Sequence, residues 1–482
     1  MTDIRAAITE LFQKNFKGEI ISIEQLPQSG SDRMYFRIQN AGESFTSCIA
    51  TFNTNVKEND TFLYFTDTFL KINAPVPQIY AVNDEHTIYL QQDFGNESLL
   101  NVLEKEGTTQ HIFHLYKKSL AALAALQVKA DALLDYNKCI TSKEFGKSAI
   151  LNDLLYFKYY FLDTLKVPYD KEALIEDFEM LSNYLSLTGQ KYFMFRDFQG
   201  RNIMVKDDEV FFIDYQGGMK GALQYDVASL LWQAKADLSE QWKVELFEYY
   251  MDCLDEISTE NIERASFRNQ YKGFVLIRLL QVLGAYGFRG LFERKAHFLS
   301  SIPLALKNLQ NFIKENSIDL HLPEFNRLLN IVGGEEMAER FYIHKADDQT
   351  PLVVHINSFS FLQRGYPSDD SSHGGGFVFD CRGILNPGRI ECYKTQTGRD
   401  KAVIDYIEQE TKMTDFLSGV FTTVDVAVED YIARRFDKLT VNFGCTGGRH
   451  RSVYAADAMA RHLRNKYNVK LKVSHLEQNI HE

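Results

Sequence analysis

The stretch Phe195–Gln216 reads FRDFQGRNIMVKDDEVFFIDYQ. Two apolar runs, NIMV and VFFID, flank the turn KDDE, which is the pattern of a β-hairpin. Asp197 stands five positions before Asn202, and Asp214 ends the hairpin's second strand. Ahead of this island, the first ~92 residues read mostly as strands: GEIISIEQL, MYFRIQ, FTSCIATF, PVPQIYAV and HTIYLQQDF. One helical pattern, VKENDTFLYFTDTFLKI, is inserted among them. From about Glu97 to Leu320 helical periods dominate, as in IFHLYKKSLAALAALQ and LNDLLYFKYYFLDTL.

A β-rich lobe followed by a helical lobe that carries a loop and a hairpin is the layout of a protein-kinase-like fold. The expected fold class is therefore α+β and bilobal, with residues 1–95 as the first lobe and 96–320 as the second. Phosphoryl transfer needs a carboxylate to take the acceptor hydroxyl's proton and oxygen ligands to hold Mg2+ on the nucleotide phosphates. The spacing Asp197–Asn202–Asp214 matches the D-x-x-x-x-N loop and the following metal-binding Asp of such enzymes.

The chain resembles the aminoglycoside phosphotransferase/choline kinase superfamily over about residues 5–315, and within it the AmgK-like kinases of N-acetylmuramate and N-acetylglucosamine. The resemblance is carried by FRDFQGRNIMV and FFIDYQGG, by GSDRMYFRI from Gly30, by LQQDFG from Leu90, by LQYDVASLLWQA from Leu223 and by LIRLLQVLGAYGFRG from Leu276. It implies an ATP- and Mg2+-dependent sugar kinase, with Asp197 as catalytic base and Asn202 and Asp214 as magnesium ligands. Ser29, Gly30 and Ser31 would close over the phosphates through backbone N–H groups. Gln91 and Asp93 lie in the segment that would meet adenine, and Gln216 stands near enough to Asp214 to assist. Asp226 is expected to fix the loop rather than react. Asp153, Arg196 and Arg201, with Tyr156 and Tyr160, are the candidates for the acceptor sugar; ordinary core packing is the competing reading of the two tyrosines. Three departures stand out. Phe195 replaces a common His, the glycine turn is not G-x-G-x-x-G, and the third strand, Phe45 to Phe52, has no lysine. Arg33, Arg37 or Lys57 would have to supply that charge.

After a loosened stretch, expected as a linker over 321–350, a new pattern begins at Pro351. Strands LVVHINSF, GGFVFD, KLTVNFG and VKLKVSHL alternate with helices, which predicts a separate α/β layer domain with a mainly parallel sheet over 351–482. KLTVNFG runs into GCTGGRHRSV, where Gly444, Gly447 and Gly448 let backbone N–H groups converge on an anion at a helix N-terminus. GCTGGRHRSV, SFSFLQRGYP, FVFDCRGILNPG and TGRD resemble, in order, the blocks of the RapZ C-terminal domain, over about 351–478. That resemblance implies a phosphosugar ligand and a small RNA as a further partner. It points to Arg382, Asn386, Thr446, Gly447, Gly448, Arg449, His450 and Arg451 as phosphosugar contacts. The closing H-R-D of that family reads His475–Leu476–Glu477 here. No G-x-x-x-x-G-K-[ST] is present.

The net charge of −12 argues against a protein that coats nucleic acid along its length. Residues 351–482 carry about +1 and the first 350 about −13, so the two parts are expected to meet different partners. Ten basic residues from Arg434 to Lys472 make the end of the chain a candidate RNA surface, or simply solvated helix faces. No apolar run reaches the ~18–20 residues that span a bilayer, and Arg278 breaks the longest; no membrane partner is expected. Six scattered cysteines without a C-x-x-C suggest neither disulfides nor zinc, and a reducing cytoplasm is the expected setting. The leading reading is the sugar kinase, acting in cell-wall sugar recycling, with the C-terminal domain as a phosphosugar sensor or product site. The alternatives are a regulatory adaptor, a weak or inactive kinase fold working through its C-terminal domain, and a kinase of choline or another small alcohol.

Overall fold

The computed structural model describes residues 2–27, 33–41, 45–189, 191–259, 261–293, 295–316, 318–342, 345–368 and 376–482. The chain divides into two compact units, Met1–Arg340 and Phe341–Glu482.

The first unit opens with helix Thr2–Asn15 and a five-stranded antiparallel sheet. Its strands are β1 (Ile20–Gln25), β2 (Met34–Asn40), β3 (Ser47–Phe52), β4 (Ile79–Val82) and β5 (Ile88–Gln92), in the order β1-β2-β3-β5-β4. Side chains alternate across a strand, so β2 sorts its residues between two faces. Phe36 and Ile38 join Cys48, Ala50, Ile88 and Leu90 under Ile8, Leu11 and Phe12 of the N-terminal helix. Tyr35, Thr51 and Tyr89 stand in register on the opposite face. Helix Val56–Lys71 follows β3; Asn55 caps its N-terminus through a bond from the Glu58 N–H. The sequence reading expected one helix in this lobe. The N-terminal helix is the second, and its core face is a short stripe among polar residues.

The helical part of this unit contains β6 (Lys191–Met194), β7 (Ile203–Lys206), β8 (Glu209–Phe212) and β9 (Met219–Ala222). β7 and β8 form the expected hairpin. Asp207 and Asp208 both take positive φ, 53° and 59°, the left-handed pair that tight hairpin turns require. Helix Lys147–Phe157 continues into a π-helical turn, Lys158–Asp163, and helix Arg264–Tyr286 into another, Gly287–Phe292. The continuous helix Arg264–Phe292, which holds the run broken by Arg278, is by length and composition long and apolar enough to cross a membrane, and 61% of its apolar window is buried inside the unit, as in a core helix. Residues expected as a linker hold helices Pro323–Val332 and Glu335–Glu339. Phe325 packs on Phe178, and its N–H donates to Asp177 at 2.8 Å, so this stretch belongs to the first unit.

The second unit carries β10 (Val353–Ser360), β11 (Gly376–Asp380), β12 (Lys438–Cys445), β13 (Lys470–His475) and β14 (Ile480–His481), in the order β11-β12-β10-β13-β14. Every pairing is parallel except β13 with β14. Helices Lys401–Glu410, Met413–Ala433 and Arg451–Tyr467 contribute to its core with Val354, Ile356, Val441 and Phe443. The expected α/β layer with a mainly parallel sheet is present. All six cysteines are free thiols.

Candidate active site and anion cradle

The loop bearing Asp197 leaves β6 under tight control. The Asp226 carboxylate is fully buried and accepts from the backbone N–H of Phe195 at 2.7 Å and of Arg196 at 2.9 Å, and from Gln127 Nε2 at 2.9 Å. Burial pushes this carboxyl up to about 7, against the opposing pull of those donors. Arg196 holds φ at +79°, a conformation a bulky residue adopts only when its surroundings impose it. Phe195 supports the loop by packing against Phe198 and Tyr215, where a His would do so by hydrogen bonding. Asn202 Nδ2 donates to the Asp197 carbonyl at 2.9 Å, and the Ile213 N–H donates to the Asn202 carbonyl at 3.0 Å, which ties the loop to the segment after β8; β8 ends at Phe212, so Asp214 stands two residues beyond the strand that was expected to end with it.

Asp214 also lies at positive φ, +67°, with its side chain 40% exposed. Gln216 Nε2 donates to its Oδ1 at 2.8 Å. Gln216 Oε1 is buried with no partner. Asn202, Asp214 and Gln216 thus offer hard oxygen donors, one of them unspent, which fits Mg2+ held by one or two protein oxygens and completed by phosphates and water. Arg33, 5% exposed, reaches Asp214 Oδ1 at 3.2 Å and pairs with Glu58.

Several predicted side chains are spent on one another. Arg37 clasps Asp93 through two bonds, 2.7 and 3.0 Å, so the Asp93 carboxylate is engaged within the lobe, and the contact expected of this segment is one of its backbone. Burial pulls Asp93 upward, yet the Arg37 bonds and the Gly95 N–H hold it below the ordinary carboxylate range. Gln91 sits on β5 with Oε1 buried and unpartnered. Arg196 pairs with Asp153 at 2.7 Å, bonds the Tyr225 hydroxyl at 2.9 Å and lies over the Phe145 ring. The guanidinium predicted to meet a sugar is therefore a buried clamp on its own loop. Asp153 keeps one oxygen, Oδ2, without a partner. Arg201 is exposed and makes no hydrogen bond among the described residues. Tyr156 and Tyr160 pack with Phe288. Ser29, Gly30 and Ser31 lie outside the described residues.

Two residues were missed from sequence. Arg278, 4% exposed, approaches Asp197 Oδ1 at 3.4 Å and bonds Gln281 at 2.7 Å. Its signal was its position as the lone charge in the apolar run from Phe274 to Phe288. Glu58 gave no signal beyond an acidic residue in a first helical turn.

In the second unit, β10, β11, β12 and β13 are parallel neighbours, and their C-terminal ends share one edge, the usual ligand edge of such sheets. Thr446 to His450 lead from β12 into helix Arg451–Tyr467. Among the described residues, the N–H groups of Gly447, Gly448 and Arg449 have no acceptor. Gly448 has φ +63°, and a Cβ there would overlap Glu477 and crowd the Ser360 N–H. The side chains are less available than the sequence suggests. Arg451, 3% exposed, donates to the carbonyls of Ile384 at 2.6 Å and Arg382 at 3.2 Å, fixing that segment. His450 Nε2 bonds the Tyr393 carbonyl at 3.0 Å; burial lowers its pKa. Arg449 donates to the Thr395 carbonyl, and Asn386 accepts from the Gly388 N–H. Arg382 is clasped by Asp380 and lies over the Phe361 ring at 4.2 Å. Thr446 is exposed and receives a bond from Arg451. The cradle is thus chiefly backbone, with Thr446 and Arg449 at its rim. Of the ten basic residues near the end of the chain, Arg451 is buried, Lys466 pairs with Asp425 and Arg434 with Asp430.

The first unit thus holds an Asp–Asn–Asp set around a hairpin, and the second a glycine cradle at the edge of a parallel sheet, one candidate ligand site in each. Residues 22–258 match the profile of the phosphotransferase enzyme family, and residues 352–479 that of the RapZ C-terminal domain. The chain joins a domain of the first family to one of the second. A nucleotide-binding protein of Fervidobacterium nodosum is 31% identical over 134 residues, 28% of this chain and 45% of that protein. One of Xylella fastidiosa is 39% identical over 115 residues, 24% of this chain and 38% of that protein. The chain thus spans under half the length of these curated relatives. Among solved structures, the choline kinase of Cryptosporidium parvum Iowa II is 13% identical with a TM-score of 0.47, covering 68% of this chain and 99% of that one. The streptomycin–ATP–APH(2″)-IIa ternary complex is 14% identical with a TM-score of 0.42, covering 62% and 98%.

Proposed function

We propose that this chain is an ATP-dependent cytoplasmic kinase of an N-acetylated amino sugar, such as N-acetylmuramate or N-acetylglucosamine, acting at the anomeric hydroxyl. Its second unit binds a phosphosugar at the glycine cradle. The observation that carries the kinase reading is the Asp197–Asn202–Asp214 set, held in one loop-and-hairpin assembly by the buried Asp226. Asp197 accepts the acceptor hydroxyl's proton, with Arg278 beside its carboxylate. Asn202 and Asp214 would hold Mg2+, and Gln216 orients Asp214. When bound, Mg2+ neutralises the charge of the transferring phosphates. Catalysis on this plan is positioning and electrostatic preorganisation. The unpartnered Asp153 oxygen and the exposed Arg201 supply a hydroxyl acceptor and a cation for the sugar. The sugar class rests on the resemblance to the AmgK-like kinases.

The test is ADP release with Mg2+ and ATP over N-acetylmuramate, N-acetylglucosamine, glucosamine, choline and an aminoglycoside, with phosphorus NMR to fix the hydroxyl. Turnover on one N-acetylated sugar is expected. Replacing Asp197 by Asn should remove turnover by about 10²–10⁴-fold while leaving ATP binding intact. Near-full turnover in that variant would overturn the assignment of the base. Silence across the panel with ATP still bound would favour the adaptor reading.

A further inference from the structure

We infer that Arg33 takes over the work that kinase-like folds give to a lysine on the third strand: it grips the nucleotide's phosphate oxygens and ties helix Val56–Lys71 to Asp214. This rests on the kinase reading and names how that site holds its nucleotide.

β3, Ser47–Phe52, contains no lysine or arginine. At Thr51, which shares a sheet face with Tyr35 and Tyr89, there is only a buried hydroxyl. Two other cations nearby are spent. Arg37 is bound to Asp93, Asn96 and the Gly95 carbonyl. Lys57 Nζ donates to the Ile140 carbonyl at 2.7 Å.

Arg33 enters from the neighbouring strand, one residue before β2. One terminal nitrogen pairs with Glu58; the other lies 3.2 Å from Asp214 Oδ1 and 3.3 Å from the Tyr35 hydroxyl. Its Nε is buried with no partner. A guanidinium carries five donors in a rigid fork, so one side chain serves two carboxylates and keeps a donor to spare, which an ammonium on a β3 side chain cannot match. Both carboxylates are independently anchored. Asn53 Nδ2 holds the second oxygen of Glu58 at 2.9 Å, and Gln216 holds Asp214. The helix itself is bolted to the segment that carries Asp214: Tyr215 stacks on Phe62 at 4.9 Å, and its hydroxyl meets Thr66 Oγ1 at 2.5 Å. The Glu58–Arg33–Asp214 bridge is therefore assembled before a nucleotide arrives. Two carboxylates against one guanidinium leave this corner net negative, so incoming phosphates need the arginine and a divalent cation together.

The experiment is calorimetric titration of the full chain with ATP plus Mg2+ and, separately, with adenosine. Arg33→Gln should weaken ATP by at least about tenfold and leave adenosine within about twofold, because the lost contact is to phosphate. Arg33→Lys should fall between wild type and Arg33→Gln for ATP, again with adenosine unchanged. It keeps the positive charge in the core if the neutral variant folds poorly. Equal loss of ATP and adenosine would mean that Arg33 only holds the helix, and unchanged ATP affinity would mean that another group grips the phosphates; either overturns the inference. A wild-type chain that binds neither ligand would overturn the kinase reading as well.

Discussion

Asp226 performs no chemistry in this scheme, yet it decides where Asp197 stands. Its two oxygens receive the N–H groups of Phe195 and Arg196. Asp226→Asn turns one acceptor into a donor and leaves a buried N–H unsatisfied, a cost of about 1–3 kcal/mol. Turnover should fall with it, because Asp197 follows Arg196 in the chain. The pH dependence has a definite sign. The folded carboxyl titrates near 7 against an ordinary value of 3.8, so the folded state binds the proton more tightly than the unfolded one. Its contribution to stability therefore declines as pH rises from about 4 to about 7 and is level above. Melting curves of wild type and Asp226→Asn across pH 4–8 should show the wild-type advantage narrowing up to neutrality; a gap that widens would refute the raised value. At this scale the sequence revealed roles that depend on local spacing. Asp197 and Asn202 precede one short hairpin and Asp214 follows it, so their order and spacing are readable. Arg278 meets Asp197 across 81 positions, and Arg33 meets Asp214 across 181, and no local pattern encodes such meetings. The side chains predicted to face a sugar or a phosphate but found spent inside the protein, Arg196 and Arg451, and Arg37, offered for the missing strand lysine, were misread for the same reason. Their partners Asp153, Ile384 and Asp93 are distant in sequence, and an arginine's type does not reveal whether its donors are already used.

Among the elements, the strands and the long amphipathic helices were legible because period-two and period-3.6 patterns are strong over several residues. The two π-helical turns were not, since nothing in KYYFLD or GFRGLF breaks the α-helical period. On the proposed reading, in which Tyr156 and Tyr160 stand on the acceptor side, they shape that side of the site. Gly284 lets the backbone of Phe157 come close, and at Gly287 any Cβ would overlap the Tyr160 carbonyl. π-turns inside helices often mark functional sites, and these two pack on each other beside the helix that carries Arg278. Gly287→Ala should therefore cost about 1–3 kcal/mol by overpacking. If this wall is the acceptor's, as proposed, sugar KM should rise with little change in ATP affinity. Steady-state kinetics on the substrate found by the panel, alongside a thermal melt, checks both. A variant with unchanged KM and unchanged melting would show that the two turns can part without consequence.

On the scale of the whole molecule, the break in pattern at Pro351 was visible as strands began to alternate with helices, but the division falls earlier, at Arg340–Phe341. The helices between 323 and 339 are short and amphipathic, and in a polar sequence they read as linker until Phe325 is seen against Phe178. Each unit has its own hydrophobic core, and the charge is divided unequally between them. A unit with a separate core should fold when expressed alone. Residues 1–340 should retain sugar-kinase turnover, and residues 341–482 should bind a phosphosugar with the affinity of the full chain. Gly448→Val forces a branched side chain into a left-handed position against Glu477 and Ser360, and should abolish phosphosugar binding while leaving turnover at a fixed sugar concentration unaltered. If the phosphosugar unit senses the kinase's product, adding that product should change the turnover of the full chain and leave both the 1–340 fragment and the Gly448→Val chain unmoved. The same response in all three would place the effect in the active site, as ordinary product inhibition, and would remove the case for a sensor.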